Sequence, residues 1–190
     1  MGTILSIVIG VGLSAACGFR VFIPPLVISL AAMSGHLQLA HGFEWMGTVP
    51  ALIAFAVASG LEITAYYVPW LDNLLDSVAT PAAVVAGIVV TASMVTDFSP
   101  MLKWTLAIIA GGGAAGLVQG ATVITRAAST VATGGAGNSV LATAELGGSL
   151  LTAVLAVFLP LLALALVGVA GGLAVWKLGS RTVPPKIVPS

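Results

Sequence analysis

The sequence predicts an all-α membrane fold, a polytopic transmembrane bundle of about six spans. Of its 190 residues, 59% are hydrophobic and 6% charged. A soluble domain is about 25% charged, so this chain lacks the polar groups to cover a globular surface. Its apolar residues also fall in runs long enough to cross a hydrocarbon core of about 30 Å. The 23 glycines and 10 prolines suit transmembrane helices, which carry more of both than soluble ones. Net charge is zero, which gives no basis for nucleic-acid binding or a polybasic lipid tail. Cys17 is the one cysteine, so there is no disulfide framework and no cysteine metal cluster.

The first apolar stretch, Thr3 to Met33, is longer than the ~20 residues a straight crossing needs. It contains Gly18, Arg20 and the pair Pro24-Pro25. A regular helix does not pass a proline pair without a break. The segment is therefore expected to be broken or re-entrant at Gly18–Pro25, with any irregular backbone covered by protein or water. No Lys or Arg precedes it as in a signal peptide. Leu13-Ser-Ala-Ala-Cys17 resembles a lipoprotein cleavage site only faintly, because the leucine is one position too far away. A permanent helix is expected.

Ser34 to Thr48 reads as a loop with His36, His41, Glu44 and an interfacial Trp45. Val49 to Val68 forms the second span, with Glu62 near its end. Leu71, Leu74, Leu75 and Val78 recur at helical spacing beside Asp72 and Asp76, which predicts a short amphipathic interfacial helix near 70–79. Pro81 then starts the third span, to about Asp97. The fourth runs from Trp104 to about Thr125, with Gly112, Gly116 and Gly120 at four-residue spacing as a packing face. Gln119, Thr122 and Arg126 form a polar stripe on it, and Ala127 to Ser139 reads as a Ser/Thr/Gly loop. Val140 to Trp176 would be roughly 55 Å as one helix, so two spans are expected to meet near Pro160. Residues 1–178 form one transmembrane domain, and 179–190 a Pro-rich tail.

Six spans would put both termini on one side. The positive-inside rule places Arg126, Lys177, Arg181 and Lys186 in the cytoplasm. A re-entrant first segment competes with that count. Val21-Phe-Ile-Pro24 recurs as Val157-Phe-Leu-Pro160, but the offsets of such matches disagree, and no duplication follows.

Gly18-Phe-Arg-Val-Phe-Ile-Pro24, Glu62, Val68-Pro-Trp-Leu-Asp72, Asp76, Pro81, Arg126, Glu145 and Leu159-Pro-Leu-Leu162 carry a resemblance. In order and spacing the chain resembles a bacterial integral-membrane family known only as domain of unknown function 4126. The resemblance implies a multi-span membrane fold and brings no assigned activity. The chain departs from that family where Tyr66 and Tyr67 replace an Asp-Lys pair. It departs again at Thr122, where a lysine is usual, and at Ala142 and Leu146 within a Ser-x-x-Glu-Asp pattern.

Arg20, Glu62 and Glu145 read as membrane-embedded charges, with Arg126 at a boundary. A charge at the bilayer centre costs about 2.5–3.5 kcal/mol, so Arg20 needs a partner, with Glu62 and Glu145 available. One reading is a buried ion pair that only locks packing. The other is an ion, solute or headgroup site made of Arg20, Glu62, Glu145, Arg126 and Gln119, beside a half-helix N-terminus. Asp72 and Asp76 form a possible cation site, weighed against a solvated helix face. No metal site and no cofactor is expected. No Ser/His/Asp set, Cys/His pair or HExxH motif argues for catalysis.

The expected function is a bacterial inner-membrane transporter or channel-like protein binding a small solute, ion or lipid headgroup near Arg20. The alternatives are a structural or accessory subunit of a membrane complex, and a lipid- or isoprenoid-handling protein. Membrane lipids and a homo-oligomer or complex partner are the expected partners, with no nucleic acid.

Overall fold

Helices α1 (Thr3–Cys17) and α2 (Ile23–Met33) divide the first apolar stretch between them, leaving residues 18–22 non-helical. The computed structural model describes residues 2–179. Side chains at 69, 70, 72–74, 76, 170, 171 and 173–179 are outside that description, as is the expected tail from residue 180 onward. Ile23, Pro24 and Pro25 form the first turn of α2. Proline is tolerated there because the first backbone N–H groups have no helical partner in any case. The break therefore falls just before the proline pair.

Long-range hydrogen bonds fix the directions of these two helices. Thr3 Oγ1 donates to Asp97 Oδ2 at 3.5 Å, while Ser14 Oγ donates to the Gly87 carbonyl at 2.7 Å. Ala40 N, a few residues past α2, donates to the Ser93 carbonyl at 2.7 Å. Arg20, between the helices, reaches the Ala142 carbonyl instead, and the His36 ring meets Phe158. The chain thus enters beside residues 93–97, turns near Ala142, and returns to residues 93–97. α1 and α2 form a hairpin.

A short 3-10 turn (Glu44–Gly47) leads into α3 (Val49–Ala65) and α4 (Pro69–Met94). The separate interfacial helix expected near 70–79 is not present. α4 is one element of 26 residues with Pro81 inside it. The fixed φ of proline is itself helical, so passing through it loses the bond to the Ser77 carbonyl rather than the helical path. Ser99 caps α5 (Pro100–Leu106), accepting from Leu102 N at 3.5 Å. A wide π-helical turn, Ala107–Gly112, joins α5 to α6 (Gly113–Thr133).

The loop expected over 127–139 shrinks to Gly134–Gly137, because α6 continues through the Ser/Thr-rich stretch. Thr130 Oγ1 donates to the Arg126 carbonyl at 3.0 Å and Thr133 Oγ1 to the Ser129 carbonyl at 2.8 Å. These hydroxyls bond back within the helix instead of breaking it. Gly134 and Gly135, at φ 63° and 91°, then end it in the left-handed region. α7 (Asn138–Phe158) and α8 (Pro160–Gly179) meet at Leu159–Pro160, as the length of that stretch required.

No strand occurs among the described residues. Among the described residues, three stretches are long and apolar enough to cross a bilayer: Ser77–Met94, Pro100–Thr133 and Asn138–Phe158. Thr3–Cys17, Ile23–Met33 and Val49–Ala65 are shorter apolar helices, and the described side chains at the start of α8, Pro160–Val169, are apolar too. α1 lies at the centre, packed on α4, α6, α7 and α8. Its contact with α4 is a polar seam in which Ser14 and Thr91 hydroxyls lie 2.7 Å apart, and Thr91 also donates to the Gly10 carbonyl. Pairing these groups removes the penalty for burying them.

Candidate functional site

The turn of the α1–α2 hairpin carries Arg20 into a buried cluster with residues from α3, α6 and α7. Gly18 permits this approach. Its own backbone is ordinary right-handed helical, at φ −68° and ψ −19°, so it is not needed as a flexible breaker. It is needed because a Cβ there would lie 2.6 Å from the Ala115 carbonyl oxygen and 2.6 Å from Val118 Cβ. A side chain would hold the turn away from α6.

Arg20 is 1% exposed. Its Nη2 donates to the Ala142 carbonyl at 2.8 Å and lies 3.5 Å from Glu145 Oε2, and its guanidinium sits 3.8 Å from the Tyr66 ring centroid. Arg126, 2% exposed, clasps Glu145 with both arms: Nε donates to Oε1 at 2.9 Å, and Nη2 donates to Oε2. Such a fork is the strong geometry for an arginine–carboxylate pair. Arg126 also lies over the Tyr66 ring, at 4.4 Å. Glu145 is thus the carboxylate partner of Arg20, shared with Arg126. Tyr66 offers both cations the negative face of its ring.

Glu62 has a different role. Its Oε1 accepts from Val21 N at 2.8 Å and its Oε2 from Phe22 N at 3.1 Å. These amides immediately precede α2, so the carboxylate sits at the positive end of that helix. Of the Arg20 donors, Nε and Nη1 have no hydrogen-bond partner and are shut off from solvent. Gln119 and Thr122 are buried on the same face of α6 as Arg126, with Thr122 Oγ1 donating to the Gln119 carbonyl at 2.8 Å.

The remaining predicted residues lie elsewhere. Gly112 and Gly116 face Ile88 and Val84 of α4, within the protomer, whereas Gly120 faces open space. The tighter contact is one residue off this stripe: a Cβ on Gly87 would lie 2.8 Å from the Gly111 carbonyl oxygen. Asp72 and Asp76 are in the first turns of α4, but their side chains lie outside those described. His36 Nδ1 pairs with Ser34 Oγ at 2.9 Å, and His41 Nδ1 with Glu44 Oε1 at 3.0 Å. The Glu44 carboxyl is held below its usual range by its own backbone N–H and by His41. No group of three potential metal ligands converges among the described residues.

Sequence reasoning missed Tyr66, the Ala142 carbonyl and the Val21–Phe22 amides. A tyrosine one turn after a buried glutamate was the available signal for the first. Backbone groups carry no signal at the level of residue type.

Fold and cluster together define the class: an all-helical protein with helices long and apolar enough to span a membrane and, among the described residues, two arginines and two glutamates buried around one tyrosine. The chain matches, over residues 7–180, the family described as Domain of unknown function (DUF4126), and it belongs to that family. No curated protein and no solved structure matches it.

Proposed function

We propose that this protein binds a small solute or ion at the hairpin turn and acts as a transporter or channel-like protein of the bacterial inner membrane. The observation that supports this is the state of Arg20. Arg126 and Glu145 form a complete ion pair without it, so packing alone does not require a second buried guanidinium. Leaving buried donors unmet costs about 1–3 kcal/mol, more for a charged group, and such a group calls for an explanation such as a ligand. Broken backbone at membrane depth is likewise tolerated only in a protein-covered or water-lined site.

In this reading the hairpin is re-entrant, and α3, α4, α5–α6, α7 and α8 cross. Residues 34–48 then share a side with the N-terminus. Arg126 then lies toward the other side, which the positive-inside rule makes cytoplasmic. That arrangement puts the two termini on opposite faces, in place of the six-crossing arrangement with both in the cytoplasm. The hydrogen bonds returning both hairpin ends to residues 93–97 favour it.

Flux into liposomes containing the purified protein tests the function. A small ion or solute is expected to pass, and Arg20→Ala is expected to abolish passage. Liposomes that stay tight, with Arg20→Ala altering only thermal stability, overturn the proposal. The second reading is internal glue in a structural or accessory subunit, and it is favoured by the forked Arg126–Glu145 pair. It predicts co-purification with a larger complex at fixed stoichiometry.

A further inference from the structure

α3 and α4 follow each other with only residues 66–68 between them, and helices joined so briefly ordinarily pack as antiparallel neighbours. Here they stand apart. α3 leans on α2 and on the 3-10 turn, and its contact with α4 is slight. A groove of about 470 Å³ runs between the two helices. Val78 and Val85 of α4 line it while 60% and 59% exposed, and Phe55 of α3 lines it from across. Its inner wall reaches the core at Met46 and Val90, both buried. One end lies at Trp45, just before α3, and the other at Val21 and Phe22 in the hairpin turn. Trp45 apart, no lining residue carries a polar side chain.

Dimensions decide what such a groove takes. Its α4 wall, from Val78 to Val90, is roughly 18 Å long at 1.5 Å per residue and lies within the apolar stretch Ser77–Met94. Spread over that length, the volume gives a cross-section of roughly 25 Å². An α-helix about 10 Å across needs roughly 80 Å², so a helix from a partner or a second copy does not fit inside. Water finds almost no hydrogen-bond partners along these walls. A hydrocarbon chain, about 4–5 Å wide at carbon–carbon contact, needs roughly 20 Å². At a C–C bond of about 1.5 Å, a sixteen-carbon chain extends to roughly 19 Å. Width and length both match.

We propose that this groove holds one straight acyl chain of a membrane phospholipid, with the headgroup end at Trp45 and the methyl end against the hairpin turn. Trp45 is half exposed and adjoins the exposed His41–Glu44 pair, an interfacial setting, whereas Val21 is buried. The proposal rests on the membrane placement of the chain and not on solute passage at Arg20. Lipid tails are as apolar as the groove, so burial alone gives no preference for it over the bilayer. Retention comes from close packing against fixed walls, which favours a chain of matching width and length over a branched or short one. The acyl chain then supplies the contact that α3 and α4 do not make directly. Ala82 and Ala86, one turn apart on α4, present single methyl groups to this path, and a larger side chain at either position would obstruct it.

Native mass spectrometry of the purified full chain tests this. After detergent washing that strips looser lipid, the wild type is expected to carry one phospholipid per protomer. Ala82→Phe and Ala86→Phe are each expected to lower that retention about tenfold. Ala121→Phe, at an exposed position of α6, is expected to leave it unchanged. A second measurement needs no variant: dipalmitoyl phosphatidylglycerol added to the stripped wild type is expected to raise its Tm, saturating at one lipid per protomer. Dioctanoyl and methyl-branched diphytanoyl lipids are expected to do so much less, and phosphatidylethanolamine of the same chains equally well. No retained lipid and no saturable stabilisation overturn the proposal, as does retention that both folded groove variants leave intact. Selection by headgroup whatever the chain, or a preference for the branched lipid, also overturns it. So does a dimer that Ala86→Phe dissociates, which would seat a second copy on the groove. A retained acyl chain in liposomes that stay tight keeps the groove and discards transport. Flux with no retained lipid does the reverse.

Discussion

Glu145 is the residue on which the buried charges depend, because Arg126 and Arg20 both use it. Removing it deprives both buried cations of the carboxylate they share. Glu145→Ala is expected to destabilise the protein by about 3–5 kcal/mol, read as a fall in the denaturation midpoint in detergent. Arg126→Ala is expected to cost nearly as much. The double variant is then expected to cost clearly less than the sum, since the pair is one interaction counted twice. Tyr66 is separable from this: Tyr66→Leu removes the ring beneath both guanidinium groups and is expected to cost about 1–2 kcal/mol. A double-mutant cycle with Arg20 checks whether that loss passes through the cation. The four charges of this cluster were legible in the sequence because bilayer energetics makes any embedded charge conspicuous. Their pairing was not legible. It depends on which helix faces which, and Glu62 took backbone amides in place of a cation.

At the scale of elements, glycines position the helices by what they leave out. A Cβ at Gly18 or Gly87 would press into backbone oxygen or a neighbouring methyl carbon at 2.6 Å. Gly18→Ala and Gly87→Ala are each expected to cost about 1–3 kcal/mol through overpacking. Gly120→Ala, with nothing within 4 Å, is expected to be neutral or to stabilise by up to about 1 kcal/mol through helix propensity. Equal losses at all three positions would mean that Gly120 packs against something outside the protomer. The breaks near prolines 24 and 160 could be read from the chain, whereas α5 starts at Pro100, ahead of the expected Trp104. The continuous α4 and the long α6 could not, because Pro81 and the Ser/Thr run are local breakers overruled by context: one lost bond in one case, and hydroxyls turned back onto the helix in the other. The π turn at Ala107–Gly112 left no mark in residue type.

For the whole molecule, the hairpin makes a prediction about sides. Cys17 is fully buried in α1, so an introduced cysteine stands out against an unreactive background. Cysteines at Gly2 and Gly35, both exposed, are expected to react with a membrane-impermeant maleimide from the same side in intact cells or sealed vesicles. A cysteine at Ala136 is expected to react from the other. Labelling of positions 2 and 35 from opposite sides would show that the first segment crosses after all. The even span count came from dividing apolar length into membrane widths, and that arithmetic has no means of registering a re-entrant hairpin, which would go in and come back.

The hairpin also sets an order of events during synthesis. Its turn is among the first parts of the chain to leave the ribosome, yet Arg20 finds the Ala142 carbonyl 122 residues later, and Ala16 finds Ser149 133 residues later. At about 5–20 residues per second, roughly 6–25 s pass before those partners exist. Throughout that interval a charged, broken segment has neither a dry pocket nor a complete helix to protect it. The N-terminal segment is made first and seated last. Whatever holds it at the membrane meanwhile, whether translocon, chaperone or the headgroup layer, is as much a requirement of this fold as any of its internal contacts.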